Sequence, residues 1–201
     1  MKNNQISISK GNTNMGAIPS VSLPPCTTCN PNAPCFKKCY AVKLQRRYTS
    51  VKTAYEHNLQ VLQSDPIAYW AQIKASAVTT RFFRYHVSGD IPNLEYFENM
   101  IEIALELPHT NFLAFTKQYN VVNAYLRMGG TIPPNLKIIF SNWGEWKCVN
   151  PYKLPECEII LKGSEPLENW KICGGNCTEC ACRGIGCWEL KQGETIAIYE
   201  H

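Results

Sequence analysis

Apolar positions along the chain switch between two periods, and the switches mark the elements. Residues 4–10 alternate through Gln5, Ile6, Ser7, Ile8 and Ser9, which predicts a strand at a sheet edge. Gly11 to Pro25 is rich in Asn, Gly, Ser and Pro and reads as loop. From Tyr40 the spacing lengthens to three and four: Val42, Leu44, Tyr48, Val51, Tyr55, Leu59 and Leu62 predict one helix running to Ser64. Asp65 and Pro66 then supply a cap and a first helical residue for a second helix through Trp70 and Ile73 toward Val78.

The middle of the chain repeats a single unit. Arg81 to Gly89 (RFFRYHVSG) is short, β-branched and aromatic, and predicts a buried strand. A helix follows over Pro92 to Leu107, with Leu94, Phe97, Ile101, Ala104 and Leu105 on one face. Asn111 to Thr116 is the next strand, and a short helix capped by Asn120 runs through Leu126 to the stop at Gly129-Gly130. Leu136 to Ser141 is the third strand, Cys157 to Leu161 a fourth, and Thr195 to Tyr199 the last. Alternating strands and helices with short joints predict right-handed βαβ units and a parallel sheet. The fold class expected is therefore α/β, a small or incomplete parallel (β/α) barrel-like domain with Cys-rich loops, occupying residues 1–201 as a single domain. Gly163 to Trp188 lacks periodicity, so something other than an apolar core must order it.

Composition changes this picture at one point. Eleven cysteines are present, four within residues 26–39 and five within 173–187, with Cys148 and Cys157 apart. No run of about eighteen apolar residues exists and the N-terminus lacks an apolar signal core, so no membrane partner and a cytoplasmic, reducing location are expected. Disulfides are rare there, and clustered cysteines point instead to metal. Cys26, Cys29, Cys35 and Cys39 lie in a stretch stiffened by Pro24, Pro25, Pro31 and Pro34, which forces the thiols to converge. Converging thiolates repel unless a metal or an iron–sulfur core neutralises them. In the second group Cys177-x-x-Cys180 is a chelating knuckle. Four of its five cysteines suffice for one centre, which leaves Cys182 or Cys187 spare. Glycines at 174, 175, 184 and 186 let backbone N–H groups approach sulfur. Two iron–sulfur clusters, of the [4Fe-4S] type, are the expected cofactors, held by Cys26, Cys29, Cys35 and Cys39 and by Cys173, Cys177, Cys180 and Cys187. Zinc is the alternative, although the spacings are not those of paired knuckles on a finger or ribbon.

Two further sets of residues carry chemistry. His86, Ser88 and Asp90 end the first buried strand, and in parallel α/β folds strand carboxyl ends face ligands, so these three are candidate cofactor-binding residues. Thr116, Lys117, Ser141, Asn142, Trp143 and Glu145 follow the other strands in equivalent places. Lys37, Lys38, Lys43, Arg46, Arg47 and Lys52 crowd sixteen residues after the first cysteines. They read as a surface for an anionic partner or nucleic acid, as compensation for an anionic cluster, or as a solvated helix face.

LPP before the first cysteines, Cys35-x₃-Cys39-Tyr40-Ala41, FRYHVSGD, and a terminal CGGNCTEC…CW followed by IAIYEH together resemble the phage "gene product 88" family. The resemblance covers most of the chain. It implies a phage-encoded or prophage-encoded protein acting in the bacterial host cytoplasm, and it carries no catalytic residues to transfer. Cys173, Cys177, Cys180 and Cys187 match its C-terminal pattern, with Cys182 in a short insertion. A more distant likeness is to radical S-adenosylmethionine enzymes, through Cys35-x₃-Cys39 and Gly89-Asp90, but Val42 stands where their third cysteine belongs. The functional expectation is a redox or electron-transfer role with a redox partner. A cluster-dependent, radical-type enzyme and a zinc-stabilised nucleic-acid-binding module are the alternatives.

Overall fold

The computed structural model describes residues 4–200. Eight strands form one sheet: β1 (Ile8–Ser9), β2 (Ser20–Val21), β3 (Phe82–Tyr85), β4 (Asn111–Thr116), β5 (Leu136–Ser141), β6 (Glu156–Ile160), β7 (Lys171–Ile172) and β8 (Thr195–Tyr199). Their spatial order is β1-β2-β3-β4-β5-β6-β8-β7, and only the β1–β2 pair is antiparallel. The protein is thus mixed α/β with a mostly parallel sheet. Among the described residues six α-helices complete it: α1 (Tyr40–Arg47), α2 (Thr49–Ser64), α3 (Pro66–Ala77), α4 (Leu94–Glu106), α5 (Tyr119–Arg127) and α6 (Cys177–Arg183).

Because β2 to β6 lie side by side in chain order, each crossover steps the same way across the sheet. Right-handed crossovers that never reverse place their helices on one face. The side chains obey this. Phe83 and Tyr85 of β3, Phe112 and Ala114 of β4, and Leu136, Ile138 and Phe140 of β5 pack with Tyr69, Ile73, Phe97, Met100 and Val122 from α3, α4 and α5. The alternate residues, with period two, point to the opposite face. There Leu113, Phe115, Ile139, Cys157, Ile159, Ile196 and Ile198 meet Ala181, Cys187, Trp188 and Leu190 of the C-terminal segment. Trp188 lies edge-on to Phe82 with ring centroids 5.0 Å apart. Lys137 Nζ, also on this face, donates to the Leu190 carbonyl at 2.6 Å. The C-terminal cysteine-rich segment is therefore the second cover of the sheet, laid across the face that carries no crossover helix.

Several elements differ from the periodicity reading. The helix expected from Tyr40 to Ser64 is two helices, broken at Tyr48, whose backbone is extended (φ −128°, ψ 97°). Asn120 lies inside α5 rather than capping it, and Asn93 caps α4 by accepting from Tyr96 N. β2 sits in the stretch read as loop, and β7 and α6 in the stretch read as aperiodic. β2 and β7 have two residues each, too few to show a period. α6 is fixed from outside: Cys177 N donates to the Asn14 carbonyl, and Thr178 Oγ1 both donates to Met15 O and accepts from Ala17 N. Asn58, fully buried on α2, accepts from Ser7 N and donates to Ser7 O and Ser22 O, which ties the edge strand to the helix layer.

Leu113 is fully buried where the C-terminal segment meets the sheet. Leu113→Ala should cost about 3 kcal/mol in urea unfolding. Val149, 69% exposed, should lose less than about 0.5 kcal/mol on the same change. Equal losses at the two positions would mean that the C-terminal segment does not cover this face.

Candidate metal centre

The first cysteine loop leaves the carboxyl end of β2 and is docked onto the ends of β3 and β4. Leu23 N donates to Ser88 O, and Asp90 N donates to Thr28 Oγ1 at 3.0 Å. Gln118 Nε2 donates to Thr28 O, Asn30 Nδ2 to Lys117 O, and the Tyr40 hydroxyl to Val87 O. Asp90 anchors the set. Its buried carboxylate accepts from Thr116 Oγ1 at 2.6 Å, Lys117 N at 2.8 Å and Ile91 N at 2.8 Å. At Gly89 (φ +79°) any Cβ would come within 2.8 Å of the Leu23 carbonyl and of Thr28 Oγ1, so the close approach of loop and strand end requires glycine. Cys26 and His86, neither of them glycine, adopt left-handed backbone at φ +65° and +59°. Such strain persists only where the surroundings enforce it.

The four thiols of this loop act on one another. Burial raises the Cys26 pKa, and Cys39 and Cys35 raise it further. Cys29 is pushed up to about 12, by burial first and then by Asp90, Cys39 and Cys26. Burial also raises Cys35, with Lys117 opposing.

The second group is assembled from two parts of the chain. Cys173, Cys177, Cys180 and Cys187 gather under the sheet, and Cys157 joins them from β6. Cys187 is raised well above the usual thiol range by burial, then by Cys173, Cys157 and Cys177. Burial pushes Cys157 to about 12, with Lys117 and Arg84 pulling it down. Cys182, by contrast, is exposed on α6. Cys157 shares its face of β6 with Ile159, and nothing near it in the sequence connects it with the other thiols. A Cβ on Gly186 would stand 3.2 Å from Cys180 Sγ, so this glycine keeps the backbone against the sulfur.

Two cations stand beside the thiols: Lys117, one of the strand-end residues, acts on Cys35 and Cys157, and Arg84, which no motif marked, meets the second group. Arg84, half-buried on β3, places Nη1 3.7 Å from Cys177 Sγ and its guanidinium carbon 5.0 Å from the Phe115 ring centre. Its Nε is buried without a partner, and among the described residues Arg84 makes no salt bridge. Lys117 Nζ bonds Ser141 Oγ at 2.5 Å.

Of the three strand-end candidates, Asp90 bonds the cysteine loop at Thr28, and its charge raises Cys29 and Cys35. His86 is buried on the helix side, its ring 5.4 Å from that of Tyr96, and neither ring nitrogen has a partner. Ser88 Oγ is likewise unpartnered. Among the described residues no three His, Cys, Asp or Glu side chains close tightly enough to hold a single ion. The donors present are soft thiol sulfurs, the ligands of iron–sulfur and zinc sites alike, with Gly174 and Gly186 beside Cys180.

A family model described as Gene product 88 matches residues 1–165. The chain belongs to the gene product 88 family. The match takes in the first thiol group, Arg84, Asp90 and Cys157, while Cys173 to Cys187 lie beyond it. No curated protein and no solved structure matches the chain. No helix among the described residues is long and apolar enough to cross a membrane.

Two buried groups at this strand end titrate in opposition. Burial raises Asp90 to about 6 despite its donors, so its contribution to stability is present below about pH 4 and lost as pH rises to about 6. Burial lowers His86 to about 3, so its contribution is present above about pH 6.5 and lost as pH falls toward 3. Between pH 4 and 6 the two offset each other. Above about pH 6.5, Asp90→Asn should cost about 1–3 kcal/mol, since Lys117 N loses its acceptor. It should also make stability fall between pH 6 and 4, where the wild type holds level. Parallel urea-midpoint profiles for the two proteins would contradict this assignment.

Proposed function

We propose that this gene product 88 family protein is an iron–sulfur protein that carries electrons in the host cytoplasm during phage infection. One observation carries the reading: Arg84 meets the second thiol group at Cys177, and Lys117 acts on a thiol of each group, Cys35 of the first and Cys157 beside the second. A half-buried guanidinium without a carboxylate is costly unless some other anion faces it. Cluster-bound thiolates are that anion, and Arg84 and Lys117 offset their charge. The protons that burial and mutual repulsion keep on the thiols are released when metal takes their place.

Cys26, Cys29, Cys35 and Cys39 hold one cluster, and Cys173, Cys177, Cys180 and Cys187 the other, with Cys157 beneath the second. When bound, the clusters supply one-electron transfer. The chain supplies the ligands, the two cations, and a dry face formed by Leu113, Phe115 and Ile139. A sheet whose strands β2 to β6 run in chain order, with the face opposite the helices covered, is read as an incomplete parallel barrel. Zinc fits less well, because a tetrahedral site needs four thiolates close to one ion. Four cysteines in the first loop also leave no open iron for S-adenosylmethionine, which sets the electron carrier ahead of a radical enzyme.

Protein purified without oxygen should be brown and contain about eight irons with matching sulfide if both clusters are cubanes. Cys29→Ser should remove about half of that iron, and Cys182→Ser none. Stoichiometric zinc with negligible sulfide would overturn the proposal.

A further inference from the structure

Residues 1–55 contain eight Lys and Arg and no Asp or Glu, while residues 56–201 contain twelve basic and sixteen acidic residues. The modest overall charge of +4 therefore hides a strongly segregated one. Six of the eight cations lie within sixteen residues on three consecutive elements, a basic ledge: Lys37 and Lys38 on the 3₁₀ turn Pro34–Lys38, Lys43, Arg46 and Arg47 on α1, and Lys52 on α2. All six are exposed. Spacings of three and four put Lys43, Arg46 and Arg47 on one face of α1. Lys52 has Glu56 at 3.7 Å, and among the described residues the other five make no salt bridge. Repulsion among them costs stability and contributes nothing to the core, which is the signature of a surface kept for a polyanion.

Aromatic rings interrupt the ledge. Tyr48, 45% exposed at the break between α1 and α2, has the Arg47 guanidinium carbon 5.4 Å from its ring centre. Tyr40 is 59% exposed, with its hydroxyl held by Val87 O, so its ring is fixed in place. Cations interleaved with exposed rings match unpaired bases on a phosphate backbone: the cations take phosphates and the rings stack bases. A duplex hides its base faces, and an acidic protein would use the cations without the rings.

We propose that the ledge from Lys37 to Lys52 binds single-stranded nucleic acid, with Tyr48 stacking a base. This stands independently of the cluster reading, since none of these side chains is a thiol.

The test is fluorescence anisotropy of the full chain with a labelled short oligodeoxythymidylate across a salt series. Replacing Lys43, Arg46 and Arg47 together by Gln should reduce the slope of log affinity against log salt by about 2, from three lost phosphate contacts at ~0.7 each. Tyr48→Ala should weaken oligonucleotide binding about tenfold while leaving binding of inorganic polyphosphate, which has no bases, unchanged. Both variants are on the surface and should melt at the wild-type temperature. The proposal is overturned if the oligonucleotide does not bind at low salt, as expected were the partner an acidic protein. It is equally overturned if a duplex of the same length binds as tightly, or if Tyr48→Ala weakens both ligands alike.

Discussion

The buried carboxylate of Asp90 is the constraint on which the rest of the arrangement depends. Its three accepted hydrogen bonds come from the end of β4, from Lys117 just beyond it and from the turn that follows β3, while its own N–H reaches Thr28 in the cysteine loop. One residue thus fixes the ends of two parallel strands and the position of the first thiol group relative to them. Removing the carboxylate would leave buried donors unsatisfied, the asymmetry that makes such knots hard to replace. Gly89 beside it allows the approach, and the left-handed backbone at His86 turns the chain so that Asp90 faces the loop.

From this anchor the chemistry follows by charge balance. The face of the sheet opposite the crossover helices holds apolar residues, five thiols from the C-terminal side, and Arg84. That face is closed by a segment with little apolar periodicity of its own. The segment rests on Trp188, Leu190 and Ala181, on α6 bonding back to residues 14–17, and on whatever draws its sulfurs together. Arg84 faces sulfur rather than carboxylate, so the proposed clusters would both order the segment and neutralise the cation. The basic ledge begins at Lys37 and Lys38, between Cys35 and Cys39, which puts the proposed nucleic-acid surface next to the first thiol group.

Much of this was legible beforehand, for identifiable reasons. β3, β4 and β5 are runs of aromatic and β-branched residues between Gly, Pro and Asn, and they appear where expected. The dense spacing of Cys26 to Cys39 put four thiols on one short loop. Other features left no local trace. Tyr48 continues the helical period through a point where the backbone is extended. β2 and β7 are too short to show a period, and α6 depends on contacts with Asn14 and Met15, over 160 residues away. Arg84 sits in a strand whose two faces are both covered, so alternation alone did not say which face meets helices and which meets sulfur. Cys157 looked isolated because its neighbours come from a later part of the chain.

The most direct test is the iron-edge X-ray absorption spectrum of protein isolated without oxygen. Clusters held by the two thiol groups predict an iron first shell of sulfur alone and a second shell of iron. A nitrogen- or oxygen-rich first shell, or the absence of any iron–iron scattering, would contradict the account.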